Sequence, residues 1–112
     1  MMNGALYGGP MLNPITVHVR ITAQPGKSSE LKDFLASALP QVRQSPGCHG
    51  AQLLADAEQE DALLLIEQWA SVARHEDHVA KLQSSGLMDR VMTLAAAPPR
   101  SEYFAASGPG SN

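Results

Sequence analysis

The sequence lacks the marks of a secreted, disulfide-linked or membrane-spanning protein. Its 112 residues include a single cysteine, Cys48, which cannot form an internal disulfide, so a reducing cytoplasm is the expected location. No apolar stretch approaches the roughly 18 residues of a spanning helix. The first residues also lack the basic and then apolar pattern of a signal peptide, and we expect no membrane partner.

Positive charge and aromatic side chains are also scarce. Eight lysines and arginines against eleven acidic residues give a net charge of -3, without the clustered basic residues that nucleic-acid binding requires. Two Phe, two Tyr and one Trp supply all the aromatic area, so the core of this single small domain must be mostly aliphatic. A second copy of the chain is the simplest source of a further buried layer.

The order of hydrophobic patterns predicts the fold class. Residues 15–23 alternate between apolar and polar side chains, as a half-buried strand does, and residues 31–42 repeat apolar side chains at helical spacing. The later segments predict strand, strand, helix, short helix and strand, over residues 49–55, 63–69, 72–83, 87–94 and 101–105. This β-α-β-β-α-β order predicts an α+β, ferredoxin-like antiparallel sheet with its helices on one face.

Composition sets the expected domain boundaries. Residues 1–13 show no hydrophobic period and are broken by glycine and proline, so they are predicted to be an N-terminal arm. Residues 107–112 are rich in Gly, Ser and Pro, as flexible tails are. The predicted domain is therefore 14–106.

The third predicted strand is apolar on both of its faces. Leu63, Leu64, Leu65 and Ile66 follow one another without a polar residue, whereas a strand with one solvated face alternates. Its own helices can cover only one face of the sheet, so the other face needs a cover as well. We expect a homodimer that pairs through the sheet, with a dimeric α+β barrel as the result.

A group of polar and aromatic residues follows this strand. Glu67 and Trp69 share one strand face by the two-residue period, and Ser71 can cap the helix that begins after it. On that helix, His75 lies in the middle of the apolar stripe and His78 lies to its side. The cap lets the helix fold back over the face that carries Glu67 and Trp69.

This order of strand, Glu67-x-Trp69, cap, helix and His78 resembles the most recurrent signature of the antibiotic biosynthesis monooxygenase family. The resemblance extends over residues 14 to about 105 and includes Pro25-Gly26 after the first strand and Pro46-Gly47-Cys48 before the second. It implies the dimeric α+β barrel fold. It also implies quinol-monooxygenase-like chemistry, in which molecular oxygen attacks a small aromatic substrate with no metal or flavin cofactor.

Two branches of the wider superfamily differ from this chain at matched positions. Haem-degrading members carry an Asn on the first strand and a Trp on the second helix, where this chain has Val19 and His78, so haem degradation is disfavoured. The polyketide anthrone oxygenases are similar at Trp69 but carry an Asn and a Tyr where this chain has Leu65 and His75. The chemistry of that branch is therefore expected to be absent or differently distributed.

The predicted site is a cavity between the sheet and the second helix. His78, which matches the family's histidine, and His75 are the candidate catalytic residues, because a neutral imidazole can act as a base near neutral pH. Trp69, Leu65 and Glu67 are the candidate substrate-binding residues. No metal is expected, because His75-x-x-His78 offers no obvious third ligand.

Each candidate also has a purely structural interpretation. A lone Trp at the end of a buried strand is often part of the core, and its indole N–H needs a hydrogen-bond partner. A buried Glu67 must be protonated or paired, for example with Arg20 on the first strand, or with a residue across a dimer interface. His75 can be a core histidine whose hydrogen bonds are satisfied.

Three functions remain open at the level of sequence. The first is a cofactor-independent monooxygenase that acts on a quinol, phenol or anthrone. The second is a non-catalytic dimer that binds a small aromatic ligand in the same cavity, and the third is a regulatory dimerisation module. No Gly-rich nucleotide or phosphate motif is present in the sequence, which is consistent with all three.

Overall fold

A computed structural model describes residues 14–107 of the chain. The predicted arm, residues 1–13, and residues 108–112 of the predicted tail lie outside the described part. Within it, the elements are β1 (Ile15–Thr22), α1 (Ser28–Arg43), β2 (Cys48–Ala55), β3 (Ala62–Trp69), α2 (Val72–Ser85), α3 (Leu87–Leu94) and β4 (Arg100–Phe104). The α+β, ferredoxin-like arrangement is confirmed, and α3 is the short helical piece expected before the last strand.

The four strands form one antiparallel sheet in the order β2-β3-β1-β4. The two central strands, β1 and β3, are adjacent, and Val17 of β1 lies opposite Glu67 of β3 and Tyr103 of β4. Because directly opposed residues share a face, these three side chains lie on the same side of the sheet. This register decides which residues can meet in a site.

One side of the sheet, here called the covered face, carries the core. The odd-numbered residues of β1, from Ile15 to Ile21, are all buried there. They pack with Leu63 and with buried residues of the helices, such as Leu31 of α1 and Val91 of α3. β1 therefore has one buried face, as its alternation of apolar and polar residues predicts.

Helix α2 returns over the covered face through a short turn. The Ser71 hydroxyl accepts a hydrogen bond from the backbone N–H of Arg74 at 3.2 Å, which confirms Ser71 as the N-cap. Gly86 ends α2 in the left-handed region, at φ 85°, a conformation that glycine adopts without steric cost. The cap and the glycine together set where α2 begins and ends.

The other side of the sheet, here called the open face, has no helix over it among residues 14–107. Leu64 and Ile66 lie there and are half-buried, and Leu54 and Phe104 are exposed. Arg20 lies there too, and its Nε donates to Glu102 at 3.2 Å. The suggested pairing of Arg20 with Glu67 is therefore wrong, because even-numbered β1 residues point away from the covered face.

No helix in the described part of the chain has the length and apolar character needed to cross a membrane.

Candidate functional site

A cavity of about 320 Å³ lies between the covered face of the sheet and helices α2 and α3. Most of its wall is apolar, with Leu65 of β3 and Met88 of α3 among the contributors. Three ionisable side chains interrupt this wall: Glu67, His75 and His78. Four of the five residues predicted for the site thus meet in one cavity.

Glu67 is buried, with 3% of its surface exposed, and it has a specific hydrogen-bond donor. The indole Nε1–H of Trp69 donates to Glu67 Oε1 at 2.8 Å, because both side chains project from the same side of β3. Burial raises the pKa of the Glu67 carboxyl, and the hydrogen bond from Trp69 opposes this effect. The indole therefore positions a carboxyl group that is easier to protonate than an exposed one.

His75 lies between Glu67 and the edge strand. Its Nδ1 is 2.9 Å from the Tyr103 hydroxyl, and its Nε2 is 3.8 Å from Glu67 Oε1, which is beyond a direct hydrogen bond. Burial, and to a smaller extent the neighbouring His78, lower the pKa of His75 to about 4. His75 is therefore a neutral ring at neutral pH.

His78 is also buried, with 6% of its surface exposed, although the helical spacing places it to the side of the apolar stripe. Its Nδ1 is 3.3 Å from the Ser45 hydroxyl, and that hydroxyl donates to the backbone carbonyl of Gln41 at 3.2 Å. A hydroxyl group has one proton to donate. If Ser45 donates it to the carbonyl of Gln41, the Ser45 oxygen can only accept a hydrogen bond from His78, which must then carry a proton on Nδ1. This tautomer leaves a lone pair on Nε2.

Three polar atoms of the site have no hydrogen-bond partner among residues 14–107: Glu67 Oε2, His75 Nε2 and His78 Nε2. Every side-chain N or O atom of the described residues that is shut off from solvent does have a partner, so each of these three atoms retains some open surface. All three residues line the cavity. Glu67 and His78 also border a smaller pocket between α1 and α2, and His78 borders an outer pocket as well.

Trp69 lies behind this wall. Its side chain is fully buried and does not line the cavity. Its ring contacts His78 in a tilted arrangement, with 4.9 Å between ring centroids, and meets His75 edge-on at 5.6 Å. The structure therefore places Trp69 in contact with Glu67 and the two histidines rather than with the cavity itself.

Burial also acts on His78 and Tyr103. It lowers the pKa of His78, with a smaller contribution in the same direction from Lys81. It raises the pKa of Tyr103, with a smaller contribution from Glu76. Both histidines and the phenol are therefore uncharged around neutral pH, and Glu67 is the one lining side chain that can carry a negative charge.

Two residues of the site were missed by the sequence analysis. The sequence predicts Tyr103 only as part of the last strand, and it gives no role to Ser45. Their partners, His78 and His75, are 33 and 28 residues away in the chain. No local pattern marks such pairs, because they depend on how α1 and β4 pack beside α2.

No group of three or more His, Cys, Asp or Glu residues within 14–107 has a geometry that could hold a metal ion.

Comparison with solved structures supports the same fold. A Nitrosomonas europaea protein of unknown function is 27% identical, with a TM-score of 0.72 over 85% of this chain and 90% of that one. A Bordetella bronchiseptica protein, provisionally named an antibiotic biosynthesis monooxygenase, is 25% identical, with a TM-score of 0.70 over 82% and 95%. A Pseudomonas aeruginosa protein has a TM-score of 0.77 at 24% identity over 89% and 100%, and shows the fold alone.

The family assignment comes from the sequence of the same region. No curated protein matches the chain. The family model described as Antibiotic biosynthesis monooxygenase matches residues 14–85, from the start of the sheet to the end of α2. This match covers more than half of the chain and includes Glu67, Trp69, His75 and His78. The chain therefore belongs to the antibiotic biosynthesis monooxygenase family.

Proposed function

We propose that this protein is a cofactor-independent monooxygenase that oxidises a small quinol, phenol or anthrone with molecular oxygen. The observation that carries the proposal is the cavity itself. It is mainly apolar, and two neutral histidines and one buried carboxyl group face into it. Such a cavity can bind an aromatic ring, remove one proton from it and keep water away from the resulting anion.

His78 is the base in this proposal. In this proposal the Ser45 hydroxyl accepts from His78 Nδ1–H, which leaves the Nε2 lone pair for a substrate in the cavity that His78 lines. A lowered pKa keeps the ring unprotonated at neutral pH, so that it can accept a proton from an acidic hydroxyl or C–H group. Ser45 is a positioning residue, since it fixes the tautomer without touching the substrate.

Glu67 and His75 complete the polar side of the cavity. Trp69 fixes Glu67 Oε1, so Oε2 is the oxygen available to a substrate hydroxyl. Tyr103 fixes His75 through Nδ1. The substrate-binding roles predicted for Leu65 and Glu67 are retained in the proposal. Trp69, which does not line the cavity, is instead a positioning residue that holds Glu67.

The reaction converts one ring C–H position into a carbonyl group. His78 takes a proton from the substrate, the substrate anion gives one electron to oxygen, and the resulting radical and superoxide combine to form a C–O bond. The peroxide takes back the proton from His78, the O–O bond breaks, and the outer oxygen leaves as water together with the hydrogen of the oxygenated ring carbon. One oxygen atom ends in the product and the other in water, so the substrate supplies all four electrons.

The proposal includes a homodimer that forms through the open face. Leu64, Ile66, Leu54 and Phe104 give this face an apolar surface that no helix of the described chain covers. Pairing with a second copy would bury these side chains and form a dimeric α+β barrel. A cytoplasmic location stays a prediction from the sequence.

Oxygen uptake by the purified full chain tests the activity. With a chelator present to remove adventitious metal, the protein should consume oxygen on addition of a 1,4-naphthoquinol. His78→Gln should lower turnover roughly 100- to 10,000-fold, the range expected for loss of a general base. His49→Gln is the matched control, because His49 is exposed on β2 and outside the cavity.

Ser45 provides a second and finer test. Ser45→Ala removes the acceptor that holds Nδ1–H, so the base should spend part of its time in the wrong tautomer. Turnover should fall less than in His78→Gln, the acidic limb of the pH–rate profile should shift, and Ser45→Thr should restore both. If no quinol, phenol or anthrone supports oxygen uptake but the ligands still raise the melting temperature, the protein is a binding module.

A further inference from the structure

The positive charges of this chain are all kept out of the cavity. The sequence contains eight lysines and arginines, and all eight lie within the described residues. Two of them, Arg20 and Arg100, are opposed on the open face, on the far side of the sheet from the cavity. Arg20 is paired there with Glu102.

Three more cations lie on the outer surface of the helices. Arg90 of α3 donates to Glu30 Oε2 at 2.8 Å, and Lys27 lies 3.8 Å from Glu30 Oε1. Lys32 is exposed on α1. None of these three side chains lines the cavity.

The last three cations surround the turn before β2 and the outer side of α2. Arg43 donates twice to the backbone carbonyl of Ala51, at 3.0 and 3.1 Å. The aliphatic part of Arg74 packs against Gly47, where an added Cβ would lie 2.6 Å from it. Lys81 lies beside an outer pocket that Arg74 and His78 also line, and its charge contributes to the lowered pKa of His78. Among residues 14–107, no lysine or arginine lines the cavity itself.

The groups that do line the cavity cannot replace a cation. His75 and His78 are neutral at pH 7 because burial disfavours their charged forms. Glu67 is either neutral or negative. A carboxylate, phosphate or sulfate on a ligand would thus lose its water and gain no opposite charge, and it would be repelled whenever Glu67 is ionised.

From this distribution of charge we infer the selectivity of the proposed site: it binds hydroxylated aromatic molecules in their uncharged form and rejects anionic analogues of the same molecules. The inference rests on the proposed function for the identity of the site, and on the absence of a lining cation for the selectivity. A hydroxyl proton can be donated to His78 Nε2 or Glu67 Oε2, two atoms without a hydrogen-bond partner in the described chain, on residues that line the cavity. The volume of about 320 Å³ is at the lower end of ligand pockets, which favours a compact ring system.

Binding of three redox-inert probes tests the selectivity without any need for turnover. Naphthalene, 2-naphthol and 2-naphthoate have the same ring system and differ in one substituent. In calorimetric titrations of the full chain at pH 7, 2-naphthol should bind at least about tenfold more tightly than 2-naphthoate, which corresponds to ~1.4 kcal/mol. It should also bind more tightly than naphthalene. Equal or tighter binding of 2-naphthoate would overturn the inference.

A lysine introduced into the cavity wall tests whether the lack of a cation causes the selectivity. Met92 lines the cavity and is 39% exposed, so a lysine there can reach the cavity while its ammonium group stays partly hydrated. Met92→Lys should raise the affinity for 2-naphthoate several-fold and leave 2-naphthol little changed. Met92→Gln is the neutral control and should leave the preference as it is. If Met92→Lys and Met92→Gln behave alike, the missing cation is not the cause.

Oxygen uptake separates the failure of this inference from the failure of the proposed function. A 1,4-naphthoquinol and its ring carboxylate are compared as substrates. Selective binding of the neutral probes with no oxygen uptake from either quinol keeps the inference and removes the monooxygenase. Equal turnover of the neutral and carboxylated quinols keeps the monooxygenase and removes the inference.

Discussion

The covered and open faces of the sheet handle charge in opposite ways, although they are built from the same four strands. On the covered face, Glu67 is buried and is held by the neutral Trp69 N–H, beside neutral histidines. On the open face, Arg20 and Glu102 form an ion pair whose side chains are 56% and 39% exposed. The comparison shows that the buried face holds its carboxyl group among neutral partners, and that the Arg20–Glu102 ion pair lies where water can solvate it.

The two faces also differ in the kind of surface that is left unoccupied. The covered face encloses a cavity that a ligand can fill, whereas the open face presents half-buried leucine and isoleucine without a cover in the described chain. We therefore assign the site to the first face and the predicted dimer contact to the second. Four changes, from the largest expected effect to the smallest, test this division.

Loss of the Trp69 side chain, which lies behind the cavity wall, should have the largest effect on stability. Trp69→Ala should lower the free energy of unfolding by roughly 3 to 5 kcal/mol, because a fully buried indole is lost and Glu67 loses its donor. Trp69→Phe should cost less, since most of the packing remains. Urea denaturation of both variants measures the difference, and equal costs would mean that the loss comes mainly from the hydrogen bond to Glu67, which both variants lack, rather than from packing.

A charge on the open face should weaken the dimer without unfolding the chain. Leu64→Asp and Ile66→Asp should each raise the dimer dissociation constant by about 100-fold or more, which corresponds to ~2.7 kcal/mol. Ala36→Asp, on the exposed side of α1, is the control and should leave the dimer unchanged. Sedimentation at micromolar concentration checks this. If both open-face variants remain dimers, the sheet-to-sheet pairing is wrong.

Low pH should lower the free energy of unfolding through His75, which packs against the covered face. Its pKa is about 4 in the folded chain and near 6.5 when exposed, so the unfolded chain binds the extra proton first. Stability should therefore fall as the pH drops from about 6.5 towards about 4, by at most about 1.4 kcal/mol per pH unit. The raised pKa of Glu67 acts in the opposite direction, with stability lost as the pH rises.

The His75→Gln variant isolates the contribution of His75 to this pH dependence. Urea denaturation at several pH values should give a flatter dependence for His75→Gln than for the parent chain. His49→Gln, at an exposed position, should keep the parent's slope. Parallel curves for His75→Gln and the parent would contradict the assignment of acid sensitivity to this ring.

The smallest effect should come from the ion pair on the open face. Arg20→Ala should lower the free energy of unfolding by no more than about 1 kcal/mol if the pair stays exposed, as it is in the single chain. The same measurement also tests whether a homodimer forms through the open face. A cost of several kcal/mol in the assembled protein, but not in a Leu64→Asp background, would show that a second copy buries the pair.

The sequence by itself determined the order of elements and the faces of the strands. The alternation in β1 and the period of two in β3 are local, so they predicted which side Glu67 and Trp69 share. The Ser71 cap is local too, and it predicted where α2 begins. The family signature lies in the same short stretch, which is why it could be recognised without coordinates.

Only the tertiary structure decided how these residues act on one another. It placed Trp69 behind the cavity wall, turned Arg20 to the opposite face from Glu67, and buried His78 as deeply as His75. It also brought Ser45 to His78 and Tyr103 to His75 from distant parts of the chain. Hydrogen-bond partners, tautomers and pKa shifts arise from atoms that meet only when helices pack on a sheet, and no periodicity along the chain encodes them.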